Sequence, residues 1–267
     1  MQKGFVISDF HMDTHFKDNS KFTDKNIRQF LKPYLCEAEV LFIPGDIATS
    51  IKYTVKTLQV LSEMYPKIIY CHGNHEFVGV FSLDSWSKVA VISAMVSREN
   101  VFYLEGNTNK ITEDTLCGGC MGIYDFSYSK KHFGKTLEQM LVLWKDKYDG
   151  KNWNLNGSTF YDLYNNEMNK IKNLVRKKHC NIMLTHVGPL AFDIGPEFHK
   201  ASTGSFYFDG RRILNDMPND SIWLFGHTHT QKKFNYGNVN LMCNPLGYPW
   251  ESKNHIISKE QFVFDIL

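Results

Sequence analysis

Residues 222–231, IWLFGHTHTQ, end an apolar run on a glycine and then set His227 and His229 two positions apart. Whether this stretch is helix or strand decides how the rest of the chain is read. On a helix, residues two apart do not share a face. On an extended segment they do, because side chains alternate. The pair therefore reads as two imidazole donors leaving a strand end in one direction. A turn with two solvated histidines is the plainer alternative, and the stretch taken alone leaves it open.

Similar apolar, β-branched runs recur along the chain: GFVIS (4–8), EVLFIP (39–44), KIIYC (67–71), NVFYL (100–104), CNIMLT (180–185), NVNLMC (238–243) and QFVFDI (261–266). The first three read as buried strands bounded by polar or glycine signals. Between them, Ile27, Phe30, Leu31 and Leu35 fall at helical spacing over 24–35. Val55, Leu58, Leu61 and Met64 do the same over 51–64. Alternation of strand and helix predicts βαβ units and a parallel sheet. In the second half, helices are expected over 136–148 and 158–178, with DGKNWNLNG (149–157) as the break. The closer strand spacing that follows predicts a second sheet with antiparallel elements. No repeat, low-complexity segment or linker divides the chain, so one domain over 1–267 is expected.

Apolar residues make up 43% of the 267, enough for a large core and against global disorder. The formal net charge of +2 falls short of a dedicated nucleic-acid binder, so nucleic acid is not the favoured partner. The opening MQKGFVISDFH has no apolar leader pattern. The longest apolar run, VAVISAMV (89–96), is far below the ~20 residues of a membrane span. A cytoplasmic protein is the expectation. Of the six cysteines, Cys117 and Cys120 form a CxxC without a second pair at zinc-ribbon spacing, and a structural reading is preferred.

The chemistry sits at strand ends. GFVIS is followed by Asp9-Phe10-His11, EVLFIP by Gly45-Asp46, and KIIYC by His72 and then Gly73-Asn74-His75-Glu76. CNIMLT is followed by His186, and IWLF by Gly226-His227-Thr228-His229. In open α/β sheets, ligands bind outside the carboxyl ends of the strands. Each fragment alone has a bland reading: an aspartate as a turn or helix cap, a lone histidine as a hydrogen-bonded structural residue. Those readings do not account for five such fragments in this order.

The set D-x-H, G-D, G-N-H-E, H and G-H-T-H, over residues 9 to 229, resembles the calcineurin-like metallophosphoesterase superfamily, in particular its small bacterial-type dimetal phosphoesterases. The resemblance implies an α/β fold: a four-layer α/β/β/α sandwich of two mixed sheets flanked by helices, with a small helical, aromatic-rich cap insertion at about 121–178. It implies one metal held by Asp9, His11, Asp46 and His229, and a second by Asp46, Asn74, His186 and His227. Asp46 would bridge two divalent transition ions spaced ~4 Å apart. Imidazole, carboxylate and amide donors without thiolate suit Mn, Fe, Zn, Co or Ni.

By the same resemblance, a metal-activated hydroxide attacks phosphorus in line, and His75 protonates the leaving group. Glu76 is read as a support for His75 or its loop. The activity implied is hydrolysis of a phosphomonoester or phosphodiester, with a nuclease or cyclic-nucleotide phosphodiesterase as alternatives and a non-catalytic metal-binding scaffold as the alternative of another class. Ser/Thr protein phosphatases of the superfamily continue G-D-x-V-D-R-G. Here Ile47-Ala48-Thr49-Ser50 follows, which argues against that branch. The expected substrate is a phosphorylated small molecule or nucleotide. Tyr124, among the aromatics and lysines of 121–165, is a candidate substrate contact. Arg211 and Arg212 are candidates to grip phosphate bidentately. CNPLGYPWE (243–251) reads as a turn without a catalytic role.

A bridging role for Asp46 has a direct consequence. Asp46→Asn is expected to lose both metals, read as metal content after dialysis; retention at either position would contradict the bridge.

Overall fold

The computed structural model describes residues 2–80, 82–96, 98–192, 194–251 and 258–266. The strands are β1 (Gln2–Val6), β2 (Val40–Pro44), β3 (Lys67–Cys71), β4 (Val101–Tyr103), β5 (Asn107–Lys110), β6 (Leu116–Cys120), β7 (Ile182–Thr185), β8 (Ile222–Phe225), β9 (Lys232–Tyr236), β10 (Val239–Cys243) and β11 (Val263–Ile266). One sheet has the order β11-β1-β2-β3-β4, with β1 to β4 parallel and β11 antiparallel to β1. The other has the order β5-β6-β7-β8-β10-β9. Its centre, β6-β7-β8-β10, is parallel, and only the edges β5 and β9 pair antiparallel. The antiparallel elements expected of the second sheet are thus confined to its borders. Strands buried on both faces read as continuous apolar runs, and every residue of β2 and of β7 is buried.

The helices are α1 (Met12–His15), α2 (Asp24–Leu31), α3 (Ile51–Ser62), α4 (Ser85–Val96), α5 (Ser127–Phe133), α6 (Leu137–Lys145), α7 (Tyr148–Asn152), α8 (Phe160–Arg176) and α9 (Arg211–Leu214). The α2, α3 and α4 helices cover the first sheet through α3 on β3, and α8 covers β5 and β6 of the second. Strands β2 and β3 meet β6, β7 and β8 face to face. The result is the four-layer α/β/β/α sandwich of two mixed sheets.

Local chemistry sets the helix ends. Pro33 turns the end of the expected 24–35 helix into a short 3₁₀ turn after Leu31. Thr159 and Asp162 form a reciprocal capping box that starts α8. The helix expected over 136–148 ends instead at Lys145. A second helix, α7, then occupies the start of the DGKNWNLNG stretch, where the sequence reads as a break. The two pack so closely that a Cβ on Gly150 would lie 2.2 Å from the Trp144 carbonyl oxygen. Within the 121–178 stretch, α5, α6 and α7 precede α8, which belongs to the helical layer over the second sheet.

Strand alternation sends Cys117 and Cys120 of β6 into different apolar clusters, so the two thiols cannot share one cation. Among the described residues no helix is long and apolar enough to cross a membrane. Trp223 on β8 is fully buried and donates from Nε1 to Thr185 Oγ1 at 2.8 Å, tying β8 to β7. Trp223→Ala is expected to cost about 3–5 kcal/mol, read as a lower urea midpoint at unchanged slope.

Candidate metal centre

Five strands end at one edge of the sandwich, and backbone hydrogen bonds lace their exits together. Asp9 N donates to Gly45 O, His11 N to Asp46 O, and Gly226 N to His186 O. The exits are strained. Among the described residues nine other than glycine have positive φ, and five of them are Asp9 (53°), His11 (42°), Asp46 (56°), His227 (70°) and His229 (49°). Each such residue costs about 1 kcal/mol or more, so the strain concentrates where these donors gather. Glycines admit the crowding: a Cβ on Gly73 would lie 2.1 Å from Asp46 Oδ1.

Glu76 holds two of the loops. Its buried carboxylate accepts the backbone N–H of Asp46 (2.9 Å), Ile47 (2.5 Å) and Ala48 (3.0 Å) from the loop after β2, and that of Gly73 (2.8 Å) from the loop after β3. His75 N, in turn, donates to Asp46 Oδ1 at 2.9 Å. Burial and the adjacent Asp46 charge push the Glu76 pKa up, and the N–H donors oppose that shift.

The side chains form two clusters joined through Asp46. In one, His11 Nε2 lies 2.9 Å from His229 Nε2 and 3.8 Å from Asp46 Oδ2, and His229 Nε2 lies 3.5 Å from Asp9 Oδ1. In the other, His186 Nε2 lies 2.8 Å from Asn74 Oδ1, 3.2 Å from His227 Nδ1 and 3.3 Å from Asp46 Oδ2. Three of the four outward nitrogens are engaged by oxygen acceptors, His186 Nδ1 by Pro44 O, His227 Nε2 by Ser205 O and His229 Nδ1 by Glu251 Oε2, whereas the buried His11 Nδ1 has no hydrogen-bond partner among the described residues. Those bonds turn the remaining ring nitrogens inward. Asn74 Nδ2 donates to Asp149 Oδ1 at 2.8 Å, which turns its Oδ1 inward as well. Ring nitrogens, the Asn74 amide oxygen and carboxylate oxygens thus face one another in both clusters.

Such a set calls for positive charge. Burial alone would raise the Asp9 and Asp46 carboxyls, but the histidines beside them outweigh it and hold both low. Burial alone would lower His186, but the Asp46 charge pushes it up to about 9. For His229, burial is outweighed by hydrogen bonds to Asp9 and Glu251, which push it up to about 10. Burial, then the charge of His186, brings His227 down to about 4, and burial takes His11 well below its usual value. By proximity and burial, these are groups that could hold metal ions: Asp9, His11 and His229 on one side, Asp46, His186 and His227 on the other, with His75 near His11 and Asp46.

The calcineurin-like phosphoesterase family model matches residues 5–231. The chain belongs to that family. An uncharacterized protein of Acanthamoeba polyphaga mimivirus is 24% identical over 236 residues, covering 80% of each chain. Among solved structures, a phosphopantetheinyl hydrolase from Mycobacterium tuberculosis superposes with a TM-score of 0.74 at 16% identity, over 99% of this chain and 95% of that one. The protein TT1561 of Thermus thermophilus does so with 0.50 at 12% identity, over 94% and 90%. At these identities the likeness is one of fold.

In this chain, His75 sits at the rim of the two clusters. Its Nε2 is 3.9 Å from Asp46 Oδ2 and 3.3 Å from Tyr248 Oη, and its Nδ1 meets Thr49 Oγ1 at 3.0 Å. Tyr148 of α7 stacks on its ring at 4.5 Å. The buried Lys88 ammonium donates to Thr49 O at 2.6 Å and steadies that loop. The centre opens into a cavity of about 740 Å³ whose walls include Trp144, Lys147, Tyr148, Lys200, Phe206 and Tyr248.

Tyr124 lines this cavity, but its hydroxyl donates to Asp149 Oδ2 at 2.8 Å and accepts from Trp144 Nε1. Arg211 and Arg212 lie on α9, outside the cavity walls, and the Arg211 guanidinium is paired with Asp209. The turn at 243–251, read as having no catalytic role, brings Tyr248 against His11 (4.2 Å between rings) and Glu251 to His229. Sequence reasoning misses Asp149, Thr49, Lys88, Tyr248 and Glu251. The signals at hand were a carboxylate opening an aromatic-rich break and another closing a proline-glycine turn.

Glu76→Gln places an amide N–H against backbone donors and strands at least one of them. A loss of about 1–3 kcal/mol is expected, read by thermal or urea unfolding of the metal-free protein; unchanged stability would contradict the clamp.

Proposed function

We propose that this chain hydrolyses a phosphate ester at two divalent transition cations, one held by Asp9, His11, Asp46 and His229 and one by Asp46, Asn74, His186 and His227. The observation that carries this reading is the pair of inward-facing donor clusters that share the Asp46 carboxylate. When bound, such cations supply the Lewis acidity that activates water and neutralises phosphate charge. The donors include no thiolate and suit Mn, Fe, Zn, Co or Ni.

His75 is the proton donor to the leaving oxygen in this reading. Its Nδ1 is oriented by Thr49 and its Nε2 faces the centre beside Tyr248. Stacked Tyr148 shields one ring face. Lys147 and Lys200 at the cavity walls suit an anionic substrate, and the aromatics beside them suit an organic group attached to the phosphate. A phosphorylated small molecule or nucleotide is therefore proposed as substrate, and α5 to α7 as the cap that selects it. Arg211 and Arg212 have no part in the proposal, because neither lines the cavity. All six cysteines are free, which supports a reducing, cytoplasmic setting.

The test is metal content of the purified protein, then turnover of p-nitrophenyl phosphate and of its bis ester with added Mn²⁺. Metal together with hydrolysis of either ester is expected, and their ratio assigns monoester or diester preference. A protein that holds metal and cleaves neither would leave the metal-binding scaffold reading, and one that holds no transition metal and cleaves neither would overturn the two-cation reading. A phosphopantetheinyl ester belongs in the wider panel, given the name of the M. tuberculosis structure. His75→Ala is expected to lower kcat about 10²–10⁴-fold on alkyl esters. The loss should be smaller on nitrophenyl esters, whose leaving group departs without a proton.

A further inference from the structure

Two carboxylates outside both donor clusters each hold one donor of a different half of the centre. Asp149, at the start of α7, accepts from Asn74 Nδ2 and from Tyr124 Oη, both at 2.8 Å. The two ends of an amide are nearly the same shape, so hydrogen bonds alone choose which end faces inward. With Nδ2 on Asp149, Asn74 Oδ1 lies 2.8 Å from His186 Nε2 and 3.1 Å from His227 Nδ1. The reversed amide would aim an NH₂ at a cation. Trp144 donates to Tyr124 Oη, and Trp153 donates to the Asn74 carbonyl oxygen at 3.1 Å, so the α6–α7 segment grips this residue at both ends.

Glu251 does the corresponding work on the other side. Its Oε2 accepts from His229 Nδ1 at 2.6 Å and from Tyr248 N at 2.9 Å. The His229 ring is thereby held with Nε2 toward His11 and Asp9. Glu251 lies beyond residue 231, where the family match ends, and Asp149 belongs to the helical segment between the sheet strands. Neither touches Asp46. That shared carboxylate is placed independently, by the His75 N–H on its Oδ1 and by the Glu76 clamp on its backbone.

We propose that Asp149 and Glu251 are positioning residues that set the cation affinities of the two halves separately: Asp149 for the half of Asn74, His186 and His227, Glu251 for the half of Asp9, His11 and His229. This rests on the two-cation reading above. Removing an outer carboxylate that orients a ligand weakens metal binding about 10–100-fold. Because the bridge has its own supports, each loss stays in its own half.

The experiment is Mn²⁺ binding to the full-length protein by equilibrium dialysis, with electron paramagnetic resonance to separate spin-coupled pairs from single ions. The wild-type protein is expected to bind two ions and show the coupled signal. Asp149→Ala and Glu251→Ala are each expected to keep one tight ion, weaken the other about 10–100-fold, and show the single-ion signal at limiting Mn²⁺. Second substitutions assign the halves by double-mutant cycles. His227→Ala should add little to Asp149→Ala, whereas His11→Ala should remove the ion that Asp149→Ala keeps; for Glu251→Ala the two responses should exchange. Two ions bound at wild-type affinity in both variants would overturn the proposal, as would both variants weakening the same half. A wild-type protein that binds no Mn²⁺ would instead sink the two-cation reading itself. Tyr124→Phe, which removes one donor to Asp149, gives a milder loss in the same half and serves if Asp149→Ala does not fold.

Discussion

The buried carboxylate of Glu76 is the interaction on which this site depends. A charge out of water costs several kcal/mol unless it is fully hydrogen-bonded. Here the partners are backbone N–H groups of two different loops, after β2 and after β3. Satisfying the charge therefore brings the loops together. Once they are joined, Asp46 stands beside His75 N and Asn74 beside His186. Gly45 and Gly73 follow from the same constraint, since a Cβ on Gly73 would collide with Asp46 and one on Gly45 with Gly73.

The electrostatics carry the same logic one step outward. Left-handed backbone at Asp9, His11, Asp46, His227 and His229 is a cost that a chain bears only where surrounding contacts over-determine it. What it achieves is a concentration of acceptors, with both aspartates held ionised and His186 and His229 pulled toward the charged form. The ring nitrogens and amide oxygen are aimed by groups that do not enter the centre: Pro44 O, Ser205 O, Glu251 and Asp149. A centre built this way is pre-organised for positive charge, and the aromatic walls of Tyr148 and Tyr248 close round its open side.

Much of this is legible in the chain. Most of the buried strands announce themselves as apolar, β-branched runs because both faces of each sheet interior are covered, but β6, LCGGC, does not, although four of its five residues are buried. Polar residues immediately after such runs stand out because a strand end must leave the core. Periodicity places α2, α3, α6 and α8 to within a few residues, but not α1, α4, α5 and α9. Nor does it place α7, where tight packing against α6 at Gly150 and the burial of Asp149 build a turn of helix in a stretch rich in glycine and asparagine. Neither Arg211 nor Arg212 lines the cavity, and the Arg211 guanidinium is paired with its neighbour Asp209. The competing carboxylate is visible two residues away in the sequence, but the position of α9 relative to the cavity is not.

By itself the sequence determined the two-sheet α/β fold, the strand ends that carry donors, and the family, since these follow from periodicity and from motifs confined to a few neighbouring residues. Only the tertiary structure decided which atoms meet. Asp149 reaches Asn74 across 75 positions, and His11 meets His229 across 218. The tautomer of each histidine, the orientation of the Asn74 amide and the supports of each half depend on such pairings. Long-range contacts of this kind leave no periodic trace, because each is a single hydrogen bond made after the sheets have packed.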